Sequence, residues 1–212
     1  MVRITRADRP ALLRRGRQLE YFTVLYNSLE GLVGVVAGLL AGSIALVGFG
    51  VDSAIEVTSG AALLWRLHQD RDPIRRESRE RLTLQIVGVC FLALALYIGS
   101  ESLLSLVRKE APARSLAGVG LAVASLVVMP LLAHAKHGVA RALESAALTA
   151  DARQTDFCTY LSAILLGGLL LNAALGWWWA DPVSALIMVP IIAREGVMAL
   201  RAKACCSECR LQ

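Results

Sequence analysis

The feature that most constrains this chain is the recurrence, along 212 residues, of apolar stretches of 18 or more residues with few or no charges. Each is long enough to cross a hydrocarbon core of roughly 30 Å as an α-helix. A soluble domain is usually about 45–50% apolar and about 25% charged. Here 56% of residues are hydrophobic, only 18% are charged, and the mean hydropathy is +0.58. Too little polar sequence remains to wrap such helices inside a water-soluble shell. The expected class is therefore all-α: a polytopic membrane protein.

Six spans are expected, over about 21–41, 43–66, 83–107, 116–135, 154–176 and 181–201. Residues 1–20 form a basic N-terminal arm with six arginines and no apolar run before Tyr21, which is not the pattern of a signal peptide. Residues 203–212 form a Cys-rich tail. The connections alternate in charge. Six Lys or Arg lie in the arm, six in 66–82, three in 136–153 and four from Arg194 onward, so 19 fall on one side. The other side holds only Arg108, Lys109 and Arg114. The positive-inside rule then places both termini in the cytoplasm, with the plasma (inner) membrane as the expected location. The net charge of +5 is explained by these flanking loops, and no nucleic-acid partner is expected. Trp177–Trp179 fall at the outer interface, where amphipathic rings prefer to sit. Gly34, Gly38 and Gly42 recur at four-residue steps in span one, a pattern that lets another helix come close, either span two or a second copy of the chain.

Acidic side chains inside an apolar span cost about 2.5–3.5 kcal/mol at the helix centre, so they need a reason. Span two holds Asp52 and Glu56. A four-residue step puts both carboxylates on one helix face, where they repel unless a cation or a shared proton lies between them. The structural alternative is bonding to hydroxyls such as Thr58 or Ser59. In span five, Asp151, Gln154 and Cys158 share a face, with Thr155 beside them and Asp156 nearly opposite. Oxygen and thiolate donors together suit a borderline ion such as Zn²⁺ or Cd²⁺. Cys is often only a small buried residue.

Glu30, near Asn27 in span one, and Glu101, near the end of span three, are auxiliary candidates for a polar network or proton path. His134 and His137, at the end of span four, offer an entry-side metal pair or a solvated helix end. Cys205, Cys206, Cys209 and Glu208 make a possible soft-metal clip, with lipidation of juxtamembrane cysteines as the rival.

The stretch S-I-A-L-V-G-F-G-V-D-S-A-I-E at 43–56 resembles the second helix of the cation diffusion facilitator family, whose acids lie four residues apart. S-A-A-L-T-A-D-A-R at 145–153 is similar to the family's approach to helix five, and W-W-W-A-D-P-V-S-A-L at 177–186 to its entry into helix six. Order and spacing agree over roughly residues 20–202. The resemblance implies a six-helix transporter, usually a homodimer, that exports Zn²⁺ or a related divalent cation against protons. It implies a site near mid-membrane with two ligands from helix two, Asp52 and Glu56, and two from helix five. The helix-five pair, normally H-x-x-x-D or D-x-x-x-D, falls here on Gln154 and Cys158. About ten residues follow the last span, so the expectation is a short variant without the family's C-terminal cytoplasmic domain.

No resident cofactor is required, and the partners are metal ions and the bilayer. A non-transporting membrane sensor or delivery protein for metal is the first alternative function. A small organic-cation transporter is the second, with few mid-span aromatics to form a cage. No H-E-x-x-H or G-x-S-x-G motif occurs, and an enzyme is not expected.

Overall fold

The computed structural model describes residues 9–68, 73–110, 112–143 and 145–208, with side chains over 10–65, 85–110, 112–143, 145 and 148–201. Six α-helices make up the described chain: α1 (Arg9–Ala41), α2 (Ile44–His68), α3 (Pro73–Arg108), α4 (Leu116–Leu143), α5 (Ala146–Leu175) and α6 (Ala180–Glu208). All six are long and apolar enough to cross a membrane.

The helices overrun the expected spans where charged sequence continues them. α1 begins at Arg9 rather than 21, α3 at Pro73 rather than 83, and α5 at Ala146 rather than 154. Arg, Glu and Gln are good helix formers, so the change to polar sequence marks the edge of the apolar zone and not a helix end.

The breaks follow local chemistry. Gly42 takes φ +65° just past α1, where a side chain would be strained. The Ser43 amide bonds Gly38 O and the Gly42 amide bonds Leu39 O, which closes the helix in a Schellman turn. Ser43 then caps α2, its Oγ accepting from the Leu46 amide. Lys109 plays the same left-handed role after α3, at φ 56°, with the Glu110 amide returning to Ser105 O. Ser145 caps the start of α5, and Gly176, at φ 67°, ends it.

α1 packs most extensively on α2, α3 on α6, and α4 on α5. α1 also meets α4, and α2 meets α5, so these four helices form one group; the α3–α6 pair joins it through α2 and α5. The glycines of span one explain the first pairing. A Cβ on Gly34 would lie 2.9 Å from Gly50 Cα, and one on Gly38 would lie 2.7 Å from Val47 N. The two backbones touch here, so these glycines serve contact within the chain. Gly42 does not belong to the seam: nothing lies within 4 Å of its would-be Cβ, and it is the turn residue.

Side chains sort as they should in lipid. Leu40 and Leu116 are 83% and 84% exposed, and α1 turns Leu25, Leu29, Leu32 and Leu39 outward as well. Buried instead are Glu20, Asn27, Glu30, Asp52, Glu56, Lys136, Asp151 and Asp181. Among these, all but Asp181 belong to the α1–α2–α4–α5 group. An apolar cluster of Leu46, Phe49, Phe91, Ile98, Leu165, Met188 and Ile192 fills the space toward α3 and α6.

Candidate functional site

Asp52 and Glu56 lie one turn apart on α2 and face α5. They are 5% and 1% exposed, so the bundle has taken both carboxylates out of contact with lipid and water. Cys158, fully enclosed on α5, meets both. Its Sγ donates to Glu56 Oε2 at 2.7 Å, with Asp52 Oδ2 3.5 Å away. Thr155, one turn earlier, donates to Glu56 Oε1 at 3.1 Å, with the Asp151 carbonyl as a second acceptor at 3.3 Å. The hydroxyl that supports Glu56 thus comes from α5. Thr58 bonds its own helix at Ala54 O.

Gln154 lies on the same helix, half-buried, and its Nε2 has no hydrogen-bond partner among the described residues. Around Cys158 the α4–α5 seam is polar: Ser162 Oγ bonds Ser125 Oγ at 2.8 Å and Cys158 O at 2.6 Å. On the α1 side, Ser53 donates to Glu30 Oε2 at 2.9 Å. Asn27 is completely buried, and its amide has no partner among the described residues.

Other candidates fall elsewhere. Asp156 pairs with His137 at 2.7 Å on the outer α4–α5 face, in a cleft lined also by Pro130, His134, Thr159 and Tyr160. This follows from its position, two residues from Cys158 and so on a different face of α5. Asp151 does not point at the α2 carboxylates. It binds Lys136 Nζ at 2.6 Å, and Glu20 Oε1 lies 3.3 Å from the same ammonium. Glu101 is half-buried on α3, outside the four-helix group. The side chains of Cys205 and Cys206 lie outside those described, and Cys209 lies outside the described residues altogether.

Three residues were not marked by sequence as site candidates. Asp181, in the first turn of α6, accepts from Ser43 Oγ at 2.5 Å and from the Ile44 amide at 2.9 Å. It closes the N-terminus of α2 from another helix. Glu20 sits at the edge of span one, and Lys136 counts in the sequence as a loop charge. Nothing in their spacing announces that both are buried. The one available signal was that Asp151, on the face of Gln154 and Cys158, needed a partner.

Among the described residues, no group of three or more His, Cys, Asp or Glu is arranged to hold a metal ion as it stands. Two of the donor separations can be set against metal geometry. Ions of the Zn²⁺ type bind S at about 2.3 Å and carboxylate O at about 2.0–2.2 Å, so tetrahedral donors stand about 3.5 Å apart. Cys158 Sγ and Asp52 Oδ2 already have that separation. Cys158 Sγ and Glu56 Oε2, drawn together by the thiol proton, need to open by roughly 0.8 Å.

Comparison with known proteins adds two findings. The family model described as the cation efflux transmembrane domain matches residues 21–204. An uncharacterized transporter of Methanocaldococcus jannaschii is 25% identical over 178 residues, covering 81% of this chain and 62% of that protein. The chain thus spans about three fifths of the length of that relative.

Proposed function

The chain belongs to the cation efflux family, and on that footing we propose that it carries a divalent metal cation, Zn²⁺ or a close relative, across the membrane. The observation that carries this reading is the enclosure of Asp52, Glu56 and Cys158 against one another at the α2–α5 contact. Two acids and a thiol in a dry bundle are costly for structure alone. They make sense as donors to a dication, with Gln154 as a neutral fourth.

The donor chemistry sets the steps. Carboxylates and a thiol bind metal when deprotonated, so loading the site releases protons and reprotonation favours release of the ion. That is the chemistry of metal–proton exchange. The ion enters from the side bearing the termini and leaves on the other after α2 and α5 shift relative to their neighbours. The charge asymmetry of the loops supports cytoplasmic termini, and with entry from that side the movement is efflux; the plasma membrane belongs to the same proposal. A homodimer is consistent with family membership and belongs to the same proposal.

The test is transport by purified protein in vesicles loaded with a zinc-sensitive dye. Wild-type protein should pass Zn²⁺, and Asp52→Ala should lower the rate to that of empty vesicles. Equal rates would reject the site. Stoichiometric binding without flux would point to a sensor or delivery protein instead.

A further inference from the structure

The buried triad of Glu20, Lys136 and Asp151 takes no part in the site just described. It joins α1, α4 and α5 where α1 begins, α4 ends and α5 begins, so it lies toward the end of the bundle that bears the N-terminus. Lys136 Nζ is 2.6 Å from Asp151 Oδ2 and 3.3–3.4 Å from the two Glu20 oxygens. The side chains of Lys136, Glu20 and Asp151 are 1%, 0% and 4% exposed.

Two features show more than a structural ion pair. First, two carboxylates face one ammonium, so the fully ionised group carries one excess negative charge, which a proton on one carboxylate or a dication in place of the ammonium would balance. Second, the pairing is incomplete. Among the described residues, Asp151 Oδ1 is buried without a hydrogen-bond partner, and Glu20 Oε1 approaches Nζ without hydrogen-bond geometry. Unused oxygens on buried carboxylates are expensive, and a shared proton or a bound cation is what would satisfy them.

The triad is also in line with the carboxylate pair. Asp151 and Cys158 are seven residues apart on one face of α5, about 10 Å along the axis. Thr155 stands between them, its Oγ1 within reach of both the Asp151 carbonyl and Glu56. Lys136 lies seven residues before the end of α4. Its unbranched four-carbon stem can swing the ammonium toward the interface, as long basic side chains near helix ends do.

We propose that Glu20 and Asp151 form a loading site for the transported dication, occupied in this conformation by the Lys136 ammonium, which the incoming ion displaces. The proposal rests on the transport reading above. Its oxygen-only donors suit a hard or borderline ion and hold it loosely before transfer to the site containing Cys158. Lys136 is then a tethered competitor that keeps the path filled when no cargo is present.

Zn²⁺ binding by purified protein, measured by equilibrium dialysis in a C205S/C206S/C209S background, separates the two sites. D52N/E56Q should remove one bound equivalent; if it does not, the central site fails. At a Zn²⁺ concentration that fills the central site but is too low to displace Lys136, adding K136Q to D52N/E56Q should restore one equivalent, and further adding D151N should abolish it. No regained binding in a monodisperse K136Q protein overturns the loading site. A second readout needs no substitution at the triad. In otherwise unchanged protein, saturating Zn²⁺ should raise acylation of Lys136 by an amine reagent severalfold, read by peptide mass. An unchanged or slower rate overturns the proposal even if K136Q does not fold.

Discussion

At the scale of single residues, the account turns on the kind of donor each side chain offers. Cys158 sits where the family resemblance implies an aspartate, and a thiolate favours softer ions than a carboxylate does. Cys158→Ser should therefore weaken Cd²⁺ binding on the order of tenfold while changing Mn²⁺ binding little. Competition binding of the two ions checks this. Asp181 makes a different kind of prediction. It accepts from a hydroxyl and a backbone amide at the start of α2. Asp181→Ala removes a cap supplied by another helix and should lower stability by about 1–2 kcal/mol, read as a lower Tm, while Zn²⁺ stoichiometry stays the same. The carboxylate pair was legible in the sequence because a four-residue step is a geometric statement. The Glu20–Lys136–Asp151 triad was not, because its members are 116 and 15 residues apart and only packing brings them together.

At the scale of helices, close approach decides the arrangement. Gly34 and Gly50 let α1 and α2 meet backbone to backbone, and a Cβ on Gly50 would lie 2.6 Å from Val35 N. Gly50→Ala should separate the helices and cost about 1–3 kcal/mol, as overpacking does. Gly167→Ala, where nothing lies within 4 Å, should leave the Tm unchanged or raise it, since alanine favours helix. Thermal unfolding of the two variants in one detergent makes the comparison. The four-residue glycine period made the seam visible in sequence, but it also swept in Gly42. Periodicity cannot tell a packing glycine from a turn glycine one step beyond the helix. The expected spans do not give helix ends for a related reason: hydropathy marks where lipid stops, and the backbone keeps its hydrogen bonds well past that point.

At the scale of the whole molecule, six apolar helices enclose an acidic interior and expose leucine, the inverse of a water-soluble bundle. The charge bias of the loops predicts a definite orientation. In intact cells, a membrane-impermeant thiol reagent should modify a cysteine placed at Arg114. It should reach Cys205, Cys206 and Cys209 only after permeabilisation. The reverse pattern would invert the direction of transport proposed here. Hydropathy and charge made the number of spans readable because lipid punishes any other solution. Beyond the glycine-marked α1–α2 seam and the α2–α5 contact that the resemblance implied, which helices adjoin was not readable, since lipid-facing and buried apolar positions use the same residues.

The most direct test is an anomalous-scattering map from crystals of the protein grown with Zn²⁺. The account predicts a peak between α2 and α5, within bonding distance of Asp52, Glu56 and Cys158. Zinc bound only at other positions, with these three side chains still bonded to one another, would contradict it.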